Sequence, residues 1–227
     1  MPRKSSAKFV PDDGPKSART RERILDSAAY VLSRKGYAGT RLTDVADHAE
    51  LQAPAIYYYF KSREELIEEV MFTGVAHMRT HVQEALDALP PAATPMEKIL
   101  CAMEAHLRYE LTISDYTTAS TRNAGQLPEH LRARHDKERA AYGGIWRDLF
   151  SDASKAGDIN PELDLRAARM LVIGALSWAV EWWNPRSGSL STVVQTAQTI
   201  VRNGLAAPPA PKKSAATRAR RTKVATG

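Results

Sequence analysis

Apolar residues recur along this chain at helical spacing almost from end to end, and no stretch alternates as a strand would. The pattern predicts an all-α protein. Ile24, Leu25, Ala28, Val31 and Leu32 share one face of a first helix, which Gly36 is suited to stop in a left-handed turn. Thr40 is expected to cap a short helix that turns Leu42, Val45, Ala46 and Ala49 inward. A turn at 50–51 leads to another short helix over 53–60. Ser62 and Glu65 form a capping box that opens a long helix. Its apolar positions, Leu66, Ile67, Val70, Met71, Gly74, Val75, Met78, Val82, Leu86 and Leu89, end at Pro90-Pro91. Thr94-Pro95-Met96-Glu97 is a second box, with proline at the first helical position, and its helix buries Ile99, Leu100, Met103, Leu107 and Leu111. Residues 115–127 read equally as loop or short helix. Further helices are expected over 128–156 with Gly157 as the stop, over 165–183, and over 191–205.

Composition narrows the class. The 227 residues, 43% of them apolar, suffice for a sizeable core. No apolar run approaches the ~18 residues of a membrane span, and no apolar segment follows the basic N-terminus as a secretion signal requires. Cys101 is the only cysteine, which excludes an intrachain disulfide and a cysteine zinc cage. A cytoplasmic protein without a cofactor is expected. The net charge of +6 is unevenly spread. Residues 1–63 carry 12 Lys/Arg against 7 Asp/Glu, residues 64–205 carry 14 against 19, and residues 206–227 carry 6 against none. A basic head, an acidic body and a basic tail imply that only part of the chain meets a polyanion. The expected organisation is a disordered basic arm over 1–16, a DNA-binding unit over 17–62, a larger helical unit over 63–205 and a disordered basic tail over 206–227.

The span 42–59 has the spacing of a helix-turn-helix: Ala46 is small enough for a steep crossing, and Val45, Ala49, Leu51, Ile56 and Tyr59 close a miniature core. The second helix then presents its other face to a major groove. The stretch Gly36-Tyr37, Thr40, Val45-Ala46, Ala49, Ile56-Tyr57-Tyr58-Tyr59-Phe60-Lys61-Ser62-Arg63-Glu64-Glu65-Leu66 resembles the TetR family of transcriptional regulators. Two positions depart from the family pattern: Glu50 stands where a turn glycine is usual, and Gln52 where serine is usual. The resemblance implies a three-helix DNA-binding head. Thr40, Tyr57, Tyr59 and Lys61 would meet phosphates, Gln52, Ala53, Pro54 and Tyr58 base edges, and Arg41 either. Phenols and an ammonium suit phosphate oxygens, Gln52 suits adenine, and small or aromatic side chains suit a thymine methyl. Tyr59 is expected to share in the core and Tyr58 to stay outside it.

The same resemblance implies a ligand chamber in the body and a homodimer formed by the last two helices. The 165–183 helix carries an apolar stripe too broad for one neighbour, as a four-helix interface would require. Met71, Met78, Met103, Tyr109, Tyr116, Tyr142, Trp146 and Trp178 are candidate chamber walls for an apolar effector. Gly174, Trp178 and Glu181-Trp182-Trp183-Asn184-Pro185 resemble the corresponding helix end in TetR-family regulators of fatty-acid and sterol catabolism, which implies an acyl-CoA effector. Arg108, Arg122, Arg132, Arg134, Arg139 and Arg186 are candidates for the CoA phosphates. The expected activity is a repressor that binds a palindromic DNA operator as a dimer and is modulated when an effector moves the 63–89 helix. Two rival readings exist. An all-α enzyme on a small apolar or thioester substrate could use His77, His81 and Glu84, whose spacing allows a metal, but no catalytic motif accompanies them. An architectural DNA-coating protein would need the basic tail but no acidic body.

Overall fold

The structure, a computed structural model, describes residues 15–112, 115–186 and 188–207. Most of the basic arm expected over 1–16 and of the tail expected over 206–227 lies outside the described residues. Within them the chain is all-α: α1 Pro15–Gly39, α2 Leu42–His48, α3 Ala53–Ile56, α4 Arg63–Asp87, α5 Pro95–Thr112, α6 Asp115–Asn123, α7 Glu129–Lys155, α8 Leu165–Trp182 and α9 Leu190–Leu205.

The boundaries follow from local chemistry. Ser62 Oγ accepts from Glu65 N at 3.0 Å, and Lys61 N donates to Glu65 Oε2 at 2.9 Å, so both partners of the box tie down the entry to α4. Thr94 and Glu97 bond reciprocally at the start of α5. Each cap stabilises its helix by about 1 kcal/mol. The exit of α2 is a Schellman turn: Leu51 N bonds Ala46 O at 2.9 Å and Glu50 N bonds Asp47 O at 3.2 Å. Glu50 occupies the left-handed position at φ 53. The exit of α7 has the same two bonds, Asp158 N to Ala153 O and Gly157 N to Ser154 O, with Gly157 at φ 80. One turn thus has the residue it favours and the other does not.

Two expectations are corrected. Thr40 does not cap α2: Arg41 holds that position without a side-chain bond, while the Thr40 hydroxyl donates to Gly36 O at 2.8 Å. The helix expected over 53–60 is α-helical only to Ile56 and finishes in turns closed by Tyr58 N to Ala55 O and Tyr59 N to Ile56 O.

Two cores organise the packing. The first joins α1, α2 and α3 to the opening turns of α4, through Ile24, Leu32, Val45, Ile56, Phe60, Leu66, Ile67 and Met71, and takes in Ala119 of α6. The second fills the body between α4, α5, α7, α8 and α9 around Met78, Ile99, Met103, Leu107, Trp146 and Phe150. Each fully buried aliphatic side chain contributes roughly 1.5–3 kcal/mol. Helix α4 runs through both cores, and on the outer face of α8 and α9 Leu171, Trp178 and Ile200 are 74%, 66% and 66% exposed.

Glu50→Gly should raise the unfolding free energy of the full chain by about 1 kcal/mol, because a side chain in the left-handed region costs roughly 1–2 kcal/mol and glycine returns part of that in chain entropy. Urea unfolding of parent and variant checks it; an unchanged or lowered midpoint contradicts a strained turn.

Candidate nucleic-acid interface and effector chamber

The tip of the head is built from α2, the Glu50 turn and α3. Ile56 and Phe60 anchor α3 in the first core, so the residues between and before them face outward. Tyr57 and Tyr58 are 59% and 54% exposed, and Arg41, Gln52, Pro54 and Lys61 are exposed beside them. Ala53 and Tyr59 are half-buried against the core. Eight of the nine candidate DNA-contacting residues therefore reach solvent. Thr40 does not. It is 2% exposed, and its hydroxyl proton is spent on Gly36 O.

Sequence reasoning missed what holds this tip in place. Gly36, at φ 69, kinks α1. Tyr37 N donates to Asn123 Oδ1 of α6 at 2.8 Å, and Gly36 O receives both Thr40 N and the Thr40 hydroxyl. From the opposite side Arg63 donates to Thr40 O at 2.6 Å and to Tyr37 O, with its guanidinium 4.6 Å from the centre of the Tyr37 ring. The link before α2 is clamped between α4 and α6. Arg122 of α6 adds bonds to Ser33 O of α1 at 2.9 Å and to Glu181 of α8 at 2.6 Å.

Beneath the head, α4, α5, α6, α7 and α8 line a partly open cavity of about 650 Å³. Of the candidate walls, Met78, Tyr142 and Trp146 line it. The others are corrected. Met71 is sealed in the first core, because the opening turns of α4 serve the head. Met103 floors a separate apolar groove of about 410 Å³ between α8 and α9. Tyr109 does not line the cavity and lies tilted against the His81 ring, 4.9 Å between centres. Trp178 points outward from α8. Tyr116 packs with the first core and donates to Asp26 Oδ1 at 2.7 Å. Of the six candidate arginines, Arg139 lines the cavity; Arg108 pairs with Glu104 and Arg134 with Glu69. His77 and His81 face different rings, Tyr116 and Tyr109, and no group of three ligating side chains assembles among the described residues.

The cavity also has a polar floor, on α5 and α7. His106 and Glu110 are 3% and 4% exposed. Tyr142 Oη lies 2.7 Å from His106 Nδ1, and the Thr121 hydroxyl donates to Glu110 Oε1 at 3.2 Å. Burial pushes His106 down to about 4 and Glu110 up to about 7, against the weaker opposing pull of Thr121 and Arg122 on the carboxyl. Burial also raises the Tyr142 phenol. Near neutrality the histidine and phenol are uncharged and Glu110 is poised. A signal was available: His106 and Glu110 fall within the stripe set by Met103 and Leu107, so helical spacing already turns them inward.

Residues 24–70 match the family model described as bacterial regulatory proteins, tetR family, and residues 92–205 match that described as tetracyclin repressor-like, C-terminal domain. The chain is 26% identical over 205 residues to the HTH-type transcriptional repressor KstR2 of Mycolicibacterium smegmatis, covering 87% of this chain and 96% of that one. The crystal structure of AibR in complex with isovaleryl coenzyme A and operator DNA matches with a TM-score of 0.73 at 22% identity, over 83% of this chain and 99% of that one. FadR from Bacillus subtilis in complex with stearoyl-CoA matches with a TM-score of 0.67 at 20% identity, over 81% and 98%. These two structural likenesses establish the fold.

The two floor groups oppose each other in pH. Glu110 binds its proton more tightly folded than unfolded, so its stabilisation is complete below about 4.5 and is lost as pH rises through about 7. His106 binds its proton less tightly when folded, so its share is present above about 6.5 and is lost as pH falls towards about 4. Replacing the carboxyl by Glu110→Gln should expose the histidine alone. Relative to the parent, the variant should gain stability as pH rises through that carboxyl window, by up to about 1.4 kcal/mol per pH unit. Urea unfolding of both proteins across the window checks the sign; a parallel pair of curves contradicts a buried, poised Glu110.

Proposed function

The chain belongs to the TetR family of bacterial regulatory proteins, and from that footing we propose that it is a homodimeric repressor released from a palindromic operator by an apolar acyl-CoA. One observation carries the reading: an outward row of phenols, a glutamine and a lysine is clamped to the same two helices, α4 and α6, that wall an internal cavity. The named relatives add support. KstR2 is a repressor, AibR holds isovaleryl coenzyme A with operator DNA, and FadR holds stearoyl-CoA.

In this mechanism Tyr57, Tyr59, Lys61 and Arg41 hold phosphates and fix the register of α3. Gln52 reads adenine, and Ala53, Pro54 and Tyr58 pack on thymine methyl groups. Thr40 acts one step back, by closing the Gly36 kink that positions Arg41. The exposed apolar face of α8 and α9 is the surface of the homodimer, and the groove between those helices receives a partner helix. Dimerisation sets the two recognition segments about one DNA turn, ~34 Å, apart. The cavity, within the range of roughly 300–1,000 Å³ typical of small-ligand sites, takes the acyl part, and Arg139 stands at its wall for the phosphates outside. Filling it shifts α4 and α6 together and carries the tip off its spacing.

Fluorescence anisotropy on the duplex upstream of the protein's own coding sequence tests the reading. Binding should exceed that to scrambled DNA by at least about 1,000-fold, and one member of a butyryl- to stearoyl-CoA series should weaken it at least tenfold where CoA alone does not. Sequence-blind binding would favour a DNA-coating protein, and indifference to the whole series would remove the effector. Lys61→Ala should lower the slope of log K against log salt by about 0.9, the share of one phosphate. Trp178→Glu should yield monomers by analytical ultracentrifugation and lose operator binding; a stable dimer would place the interface elsewhere.

A further inference from the structure

The cavity floor places a buried nitrogen and a buried carboxylate oxygen side by side without joining them. His106 Nε2 is buried without a hydrogen-bond partner, and its side chain lines the cavity. An unmet buried polar group costs about 1–3 kcal/mol, so a chamber meant only for hydrocarbon would be better lined with apolar atoms. The Tyr142 hydroxyl at Nδ1 fixes the imidazole ring, and when it donates there the proton of the neutral ring sits on Nε2. Facing that nitrogen, 4.0 Å away, is Glu110 Oε2, whose sister oxygen is already held by Thr121. Four ångströms is too long for a hydrogen bond. It is the right span for one oxygen atom seated about 2.8 Å from each.

We infer that the effector carries a hydroxyl at its buried end, which accepts from His106 Nε2 and donates to Glu110 Oε2. This deepens the chamber reading above and rests on it. A hydroxyl is the small group that does both at a single atom; an ether oxygen can only accept, and a methylene can do neither. Trp146, whose ring stands edge-on to Tyr142 with 6.3 Å between centres, closes the seat on its apolar side. The Glu110 carboxyl, pushed up to about 7 by burial against the pull of Thr121 and Arg122, accepts such a proton near neutrality once ionised.

Equilibrium dialysis of the full chain against naphthalene, 2-naphthol and 2-methoxynaphthalene tests the inference with probes of one shape. 2-Naphthol should bind about tenfold more tightly than naphthalene, since a hydrogen bond to a charged group is worth that ratio or more, and 2-methoxynaphthalene should show no such gain. The naphthol-to-naphthalene ratio should fall to about twofold or less in His106→Phe and in Glu110→Met, whatever happens to naphthalene itself. The parent comparison decides the matter even if a variant does not fold. Equal binding of the three probes overturns the hydroxyl seat and leaves the chamber standing, with the gap a water site. Naphthol and methoxynaphthalene binding alike, or a ratio unchanged in both variants, also overturns it. Binding of none of the three overturns the chamber and the inference together.

Discussion

The contact of α4 with α6 at Gly74 constrains the rest of the molecule. A Cβ at that position would lie 2.4 Å from the backbone oxygen of Tyr116 and 2.8 Å from its carbonyl carbon, so only glycine lets the helices meet there. The contact is backbone against backbone, and flexible side chains cannot absorb a displacement across it. One side of α6 contributes Thr117, Ser120 and Thr121 to the cavity. Its end holds Tyr37 N through Asn123 and Ser33 O through Arg122. The cavity walls are therefore joined to the link before α2 by direct contacts, through α6 and, at Arg63, through α4.

The head was legible because its determinants are local. The spacing of Val45, Ala46, Ala49, Ile56 and Phe60, the Ser62 box and the outward Tyr57 and Tyr58 all lie within one short span, where period and capping suffice. Glu50 was legible as a departure, and its φ of 53 is the strain that the departure implied. Thr40 was misjudged because a threonine before a short helix has two uses for its hydroxyl, and the nearby kink at Gly36 supplied the better acceptor.

Helix α6 escaped sequence reasoning for a physical reason. Its sequence is short and polar, and the face it buries is Thr117, Ala119, Ser120 and Asn123, which gives almost no apolar period to read. The segment that couples chamber to head is thus the one whose pattern was silent. The chamber walls failed differently. Met71 and Trp178 have the expected residue types, but periodicity states only that a face is apolar, never whether it meets the head, the cavity or a second chain. Sorting those three requires the direction of α4 and α8 in space.

A chamber floor with an unmet polar atom is an unusual thing to keep in a stable core, and its energy matches the needs of a switch. Coupling free energies between sites are typically about 1–3 kcal/mol, the same size as the cost of one buried group left unpaired. A ligand shifts an equilibrium only by its difference in affinity for the two states. Apolar contact with the cavity walls is a poor source of that difference, since such contacts survive small changes of shape. The polar floor is a better source, because His106 and Glu110, both on α5, are tied to α7 through the Tyr142 hydroxyl and to α6 through the Thr121 hydroxyl, and such bonds hold only while those helices keep their places. On the proposed reading a ligand hydroxyl at that floor favours one spacing of the helices, and the Gly74 contact, backbone against backbone, carries that preference towards the tip of the head.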